Sequence, residues 1–209
     1  MPIISIEGNI GALKTTFLDY IRQHSRDICN MRFLKEPLDE WESFRDGEGK
    51  SILQHFYENP SENAFAFQMT AFLSRFSVME KVVTNKDTNY ITERSLETDR
   101  HVFAEMLYKD GKIREMDFQV YCKWHEFFAS RYPADIIIYI QTSPEVCLTR
   151  IRSRGRKGEE TITLEYLREC HEYHENMMRM FQRIGKKVIL LNGESVSLED
   201  WRKELIRQL

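Results

Sequence analysis

Short runs of β-branched and aromatic residues alternate along the chain with long stretches whose apolar residues recur at helical spacing. The strand-like runs are residues 3–7 (IISIE), 32–35, 89–93 (NYITE), 135–141 (DIIIYIQ) and 187–192 (KVILLN). Most are apolar residue after residue rather than alternately, the mark of strands covered on both faces in a parallel sheet. Residues 63–83, 116–132 and 163–184 have helical length and periodic apolar positions, while RDGEGK, ENPSEN, KDGK and RGRKGEE read as loops. The β-α-β-α order predicts an α/β fold: a doubly wound, five-stranded parallel sheet with helices on both faces and right-handed crossovers. No repeat, low-complexity tract or linker divides the chain, so residues 1–209 are expected to form a single domain.

Charge narrows the possible partners. Thirty Lys and Arg stand against 33 Asp and Glu, a formal net charge of −3 over 209 residues. With no basic excess, neither nucleic acid nor a membrane is expected as a partner, and any polyanion bound must be small and held locally. Cys29, Cys122, Cys147 and Cys170 stand singly, without a C-x-x-C pair, which argues against a disulfide framework or a zinc site. The first apolar stretch is interrupted by Ser5 and Glu7, and no run approaches about 18 apolar residues, so a reducing, cytoplasmic setting is expected.

The chemistry begins directly after the first strand. GNIGALKTT, residues 8–16, is nearly a phosphate-binding loop, with Gly8, four residues ending at Ala12, and Lys14-Thr15, but with Leu13 where the pattern has glycine. Between a strand and a helix, backbone N–H groups from Gly8, Asn9, Gly11, Ala12 and Thr16 can wrap phosphates, Lys14 can reach them, and the Thr15 hydroxyl can hold magnesium. The bland alternative is a glycine-containing turn before an ordinary helix. If position 13 is left-handed, a leucine there costs about 1 to 2 kcal/mol. Further along, Glu36-Pro37 ends a strand, placing a carboxylate at the sheet's carboxyl edge where it can take a hydroxyl proton. Glu93-Arg94 ends the next, offering an acid for a metal ion beside a cation for a phosphoryl group; the alternative is a surface ion pair. Arg150, Arg152, Arg154 and Arg156, followed by Glu159, close a helix and enter a loop, as expected of an arginine-rich lid over about residues 150–160 rather than a solvated face.

Taken in order, GNIGALKTT, EPLDEW, FYENP, FAFQMTAFLSRF, ERSLETDRHVF, RIRSRGRKGEE and LEYLRECHEYHE resemble the deoxynucleoside kinase family across almost the whole chain. The resemblance implies a P-loop kinase fold and transfer of the ATP γ-phosphate to the 5'-hydroxyl of a deoxynucleoside. It makes Glu36 the general base and sets Arg94 against the same hydroxyl and the incoming phosphoryl group. Thr15 and Glu93 become the magnesium pair, and Lys14, Arg150, Arg154 and Arg156 the phosphate cradle and lid. Tyr57 and Glu159 match residues that hold the sugar 3'-hydroxyl, and Trp41 falls among the substrate contacts. Gln68 matches the amide that pairs with the base edge, Phe67 and Phe103 a sandwich around the ring, and Ala71, Arg75 and Asp99 the deoxycytidine and deoxyguanosine branch. An ionised Asp99 only accepts hydrogen bonds, so deoxycytidine and the deoxypurines are expected over thymidine. Relatives commonly pair two long helices into a homodimer, which implicates DFQVYCKWHEFF.

Leu13 is one departure from the family pattern; the other is Gly158, where relatives usually carry a second lid glutamate. The alternatives are a nucleoside-binding structural subunit without turnover and a nucleoside-monophosphate kinase, against which EPLDEW argues; a GTPase lacks its N-K-x-D signature. His171 and His174 lie three apart with no third ligand in sight and are expected on a helix surface. Met177, Met178 and Met180 are expected in a core or an interface.

Overall fold

The computed structural model describes residues 2–24, 30–84 and 87–208. Five strands, β1 (Ile3–Glu7), β2 (Met31–Leu34), β3 (Asn89–Glu93), β4 (Ile136–Gln141) and β5 (Lys187–Asn192), form one all-parallel sheet in the order β2-β3-β1-β4-β5. The chain steps from β1 outward to β2, back to β3, and then across to β4, so the sheet reverses direction around β1. In such sheets the crevice for a ligand opens beyond the carboxyl ends of the strands at that reversal.

Alternate residues of the central strands feed different layers. Ile4 and Ile6 of β1, with Ile138 and Ile140 of β4, pack against Phe17, Leu18 and Ile21 of α1 (Lys14–His24) and Trp201 of a later helix, Leu198–Gln208. Ile3 and Tyr90 turn the other way, toward Phe72, Met79 and Tyr121, and Ile137 and Tyr139 do so beside Met177 and Phe181. Burial on both faces is why the strand runs are continuously apolar.

Between β2 and β3 lie α2 (Leu38–Ser43), α3 (Ile52–Glu58) and α4 (Pro60–Val82). α4 begins inside the expected ENPSEN loop because Pro60, at the first helical position, needs no hydrogen-bonded N–H there. After β3, a single turn α5 (Leu96–Thr98) widens into a π-helical turn, Asp99–Ala104, and continues as α6 (Glu105–Lys109). Then come α7 (Glu115–Ala129), α8 (Pro144–Arg154), α9 (Leu164–Arg183) and α10 (Leu198–Gln208). α8 stops at Gly155, whose left-handed φ of 61° closes the helix before the lid loop.

One expectation fails on α9. His174 is fully buried rather than on the surface, edge-on to Phe103 and stacked on Tyr139, while His171 is half-buried. Met177 and Met178 do lie in the core. Cys122, Cys147 and Cys170 are free, and Cys29 lies outside the described residues. Among the described residues no helix is long and apolar enough to cross a membrane. Met116, Val120, Trp124 and Phe127 leave an apolar stripe exposed on α7, and Leu73 of α4 is exposed as well.

Candidate active site

The loop between β1 and α1 is shaped by close backbone approaches. A Cβ at Gly8 would stand 2.8 Å from the Ile140 carbonyl oxygen, and one at Gly11 would stand 2.6 Å from that of Cys147, so neither position admits a side chain. Asn9 ties the loop to α9, its side-chain amide donating to the Leu167 carbonyl at 2.8 Å. Leu13 has φ of 69°, the left-handed region in which leucine is strained. Lys14 follows with its Nζ donating to the Asn9 carbonyl at 2.8 Å, and the Thr15 hydroxyl donates to Glu93 Oε1 at 2.6 Å.

This loop floors a cavity of about 510 Å³ at the sheet's carboxyl edge. Gly11, Lys14, Thr15, Thr16, Glu36, Trp41, Tyr57, Phe67, Gln68, Arg75, Glu93, Arg94, Asp99, Phe103, Arg150, Arg154, Arg156 and Glu159 all line it. Of the candidate residues, Gly8, Asn9 and Ala12 do not; they are buried within the loop and give it shape. Leu13 lines it as well, and Phe56 and Tyr166 do so without having been expected there. Phe56 stacks on Phe67 at 4.7 Å, and its only signal in the sequence was its place beside Tyr57 in FYENP.

Charges converge on Glu36. Arg75 Nη2 donates to its Oε1 at 3.0 Å and Arg94 Nη1 lies 3.6 Å from the same oxygen. Burial opposes ionisation of Glu36, but Arg94, Arg75 and Lys14 outweigh it and hold the carboxyl down at about 2. Burial, followed by the Arg94 charge, brings the Lys14 ammonium down to about 7. Arg75 spends its remaining donors on Asp99, through Nε to Oδ2 at 2.9 Å and Nη2 to Oδ1 at 3.3 Å, and on the Glu93 carbonyl at 2.7 Å. Burial works against its charge, yet Asp99 and Glu36 raise its pKa above the ordinary arginine value. Arg94, left-handed at φ 64°, leans over the Phe103 ring at 5.1 Å and leaves its buried Nε without a partner.

Beside this cluster, Gln68 is buried with its amide oxygen unpaired, and the Trp41 indole donates to Ser74 Oγ at 2.8 Å while meeting Phe67 edge-on. Burial, then the Glu159 charge, pushes the Tyr57 phenol up, so it stays a donor. On the lid, Glu159 accepts from Arg154 at 2.7 and 3.0 Å and from Arg156 at 3.2 Å, and Arg150 donates to the Gly193 carbonyl at 2.8 Å. The glycine at 158 has a local reason: φ is 92°, and a Cβ would stand 3.1 Å from Gln54 Cγ. Thr15 and Glu93 offer magnesium two adjacent oxygen donors, a fit for an ion that fills most of its shell with phosphate and water. No group of three or more His, Cys, Asp or Glu that could hold a metal occurs among the described residues.

A strand-loop-helix phosphate cradle at the reversal point of a five-stranded parallel sheet, roofed by an arginine-rich helix end, defines a P-loop kinase fold. The profile described as Deoxynucleoside kinase matches residues 4–209. The chain is 34% identical to deoxycytidine kinase 2 of Gallus gallus, over 98% of this chain and 85% of that protein. It is 36% identical to deoxycytidine kinase of Mus musculus (84% of this chain, 74% of that protein) and 33% identical to mitochondrial deoxyguanosine kinase of Xenopus laevis (84% and 72%). The chain belongs to the deoxynucleoside kinase family, whose members are ATP-dependent phosphotransferases.

Two outcomes are expected of the loop. Leu13→Gly relieves about 1 to 2 kcal/mol of left-handed strain; because the free loop already holds this conformation, the gain is expected in folding stability, with ATP affinity changed by less than about two-fold. Denaturant unfolding of both forms checks this, and equal stabilities would show that Leu13 is not strained. ATP binding should also take up a proton, because a polyanion beside Lys14 raises a pKa that stands at about 7 in the free protein. Affinity is then full below about 7 and falls as pH rises above it toward the raised pKa of the complex. Subtracting the same titration of Lys14→Met removes the contribution of ATP's own ionisation.

Proposed function

We propose that the protein transfers the ATP γ-phosphate to the 5'-hydroxyl of a deoxynucleoside, accepting deoxycytidine and the deoxypurines in preference to thymidine. The observation that carries this reading is the Glu36 carboxylate held between Arg75 and Arg94 beside Lys14. Glu36 is the base: it stays ionised over the whole working range of pH and accepts the hydroxyl proton as the P–O bond forms. A carboxyl held at about 2 is a weak base, which suits a loose transition state in which the nucleophile keeps its proton until late. Arg94 meets the attacking oxygen and the transferred group, with Lys14 and the lid residues Arg150, Arg154 and Arg156 around the donor phosphates. Magnesium, held by Thr15 and Glu93, supplies neutralisation of phosphate charge. Tyr57 and Glu159 take the sugar 3'-hydroxyl.

For the base, Gln68 presents an unpaired amide oxygen, and the Asp99 carboxylate, fixed by Arg75, favours an exocyclic amino group over the carbonyl of thymine. Phe67 and Phe103 flank the ring. The whole chain works as one domain in nucleotide salvage, in the cytoplasm, and as a homodimer joined through the α7 stripe of Met116, Val120, Trp124 and Phe127. Leu13 favours one second reading, a nucleoside-binding subunit with little or no turnover.

A panel of the four deoxynucleosides with ATP and magnesium separates the two. Turnover is expected with deoxycytidine, and Glu36→Gln should cut kcat by about 100-fold or more while changing nucleoside affinity far less. Melting shifts without phosphoryl transfer would establish the subunit reading instead. Arg75→Met with Asp99→Ala should raise the kcat/KM ratio of thymidine to deoxycytidine by about 100-fold. Absolute kcat falls as well, since Arg75 also holds Glu36, so the ratio is the measurement that decides; a wild-type preference for thymidine would refute the assignment of the base pocket.

A further inference from the structure

Glu7, the last residue of β1, is fully buried, lines no part of the cavity and takes part in none of the ion pairs among the described residues. A buried carboxylate is costly unless hydrogen bonds replace its water. Here they come mainly from one turn. Oε1 accepts from the Ser5 hydroxyl and from the Ser95 N–H at 2.9 Å, and Oε2 accepts from the Thr98 hydroxyl. Ser95 directly follows Arg94, and Thr98 directly precedes Asp99.

Arg94 needs such a grip. Its φ of 64° is a conformation a non-glycine residue holds only when its surroundings impose it, and its guanidinium, with Nε unpaired, contributes to the hold on Glu36. The Arg94 N–H is fixed by the Ile6 carbonyl at 3.0 Å, so adjacent residues of β1, Ile6 and Glu7, secure the backbone on either side of the strained position. The second carboxylate oxygen fixes the far end of the turn, where the π-helical segment carrying Asp99 and Phe103 begins.

We propose that Glu7 is a positioning residue for phosphoryl transfer: its buried carboxylate clamps Ser95 and Thr98 to β1 and so holds Arg94 in the left-handed conformation that directs its guanidinium to Glu36. The inference rests on the phosphoryl-transfer reading of the site. Glu7→Gln removes the charge and one acceptor at nearly constant volume. It should lower kcat by about ten-fold or more and weaken deoxynucleoside binding several-fold while ATP affinity stays within about two-fold. A fold-stabilising role alone would not produce the decisive result, which is non-additivity. In an Arg94→Ala background, Glu7→Gln should change kcat by less than about two-fold and lose most of its effect on nucleoside affinity, the remainder acting through Asp99 and Phe103. Thr98→Val, which deletes one donor and spares the carboxylate, should give a smaller loss of the same kind, and it carries the test if Glu7→Gln does not fold. Full additivity with Arg94→Ala for either variant, in kcat or in calorimetric nucleoside affinity, overturns the proposal. A wild-type chain that binds nucleoside without turnover overturns the kinase reading instead, and the affinity cycle then still decides the role of Glu7.

Discussion

The structure depends on keeping several like charges together in a place from which water is largely excluded. Lys14, Arg75 and Arg94 converge on one carboxylate, Glu36, and each is buried. Such a cluster is stable only when every charge has a fixed partner at short range, because an unpaired ion in that setting costs several kcal/mol. Arg75 meets the condition most fully, with donors to Asp99, Glu36 and the Glu93 carbonyl. One guanidinium thereby ties Asp99 of the π-helical turn to Glu36 beyond β2, and the end of β3 to both.

Backbone shape follows from the same requirement. Loops leaving the carboxyl ends of β1 and β3 must turn sharply to bring Lys14 and Arg94 over the sheet edge, and at both places a non-glycine residue, Leu13 or Arg94, takes a left-handed conformation. Strained backbone of this kind persists where surrounding contacts over-determine it. For Arg94 the contacts are the Ile6 carbonyl and the buried Glu7 carboxylate one residue on. For Leu13 they are the helix it starts, through its carbonyl to the Phe17 N–H at 2.9 Å, and the glycine approaches at Gly8 and Gly11.

What could be read from the chain divides along physical lines. The strands were legible because burial on both faces leaves an unbroken apolar run: residues 3–7, 89–93 and 187–192 match the observed strands, the fourth begins one residue later than expected, and the second is shifted back by one residue at both ends. The site was legible because its charged residues fall where strands end, and the family motifs carried the rest. Pro60 was misleading, since proline starts a helix as readily as it marks a loop. His174 was misleading too: a polar residue on an amphipathic helix reads as surface, and only the packing of Phe103 and Tyr139 around it makes it core. Glu7 looked like a mere interruption of an apolar run, because a sequence does not show that Ser95 and Thr98 return to meet it. The π-helical turn left no signal, since its widened spacing depends on contacts made elsewhere.

The clasp of Glu159 with Arg154 and Arg156 gives the lid a built-in competitor. The carboxylate is tethered within a few residues of the guanidiniums it neutralises, so its effective concentration there far exceeds that of any small anion in solution. An anion that reached these guanidiniums would have to compete with Glu159 for them, and the buried carboxylate would be left without its partners unless the ligand also brought it a hydrogen-bond donor. Charge alone supplies only half of that exchange.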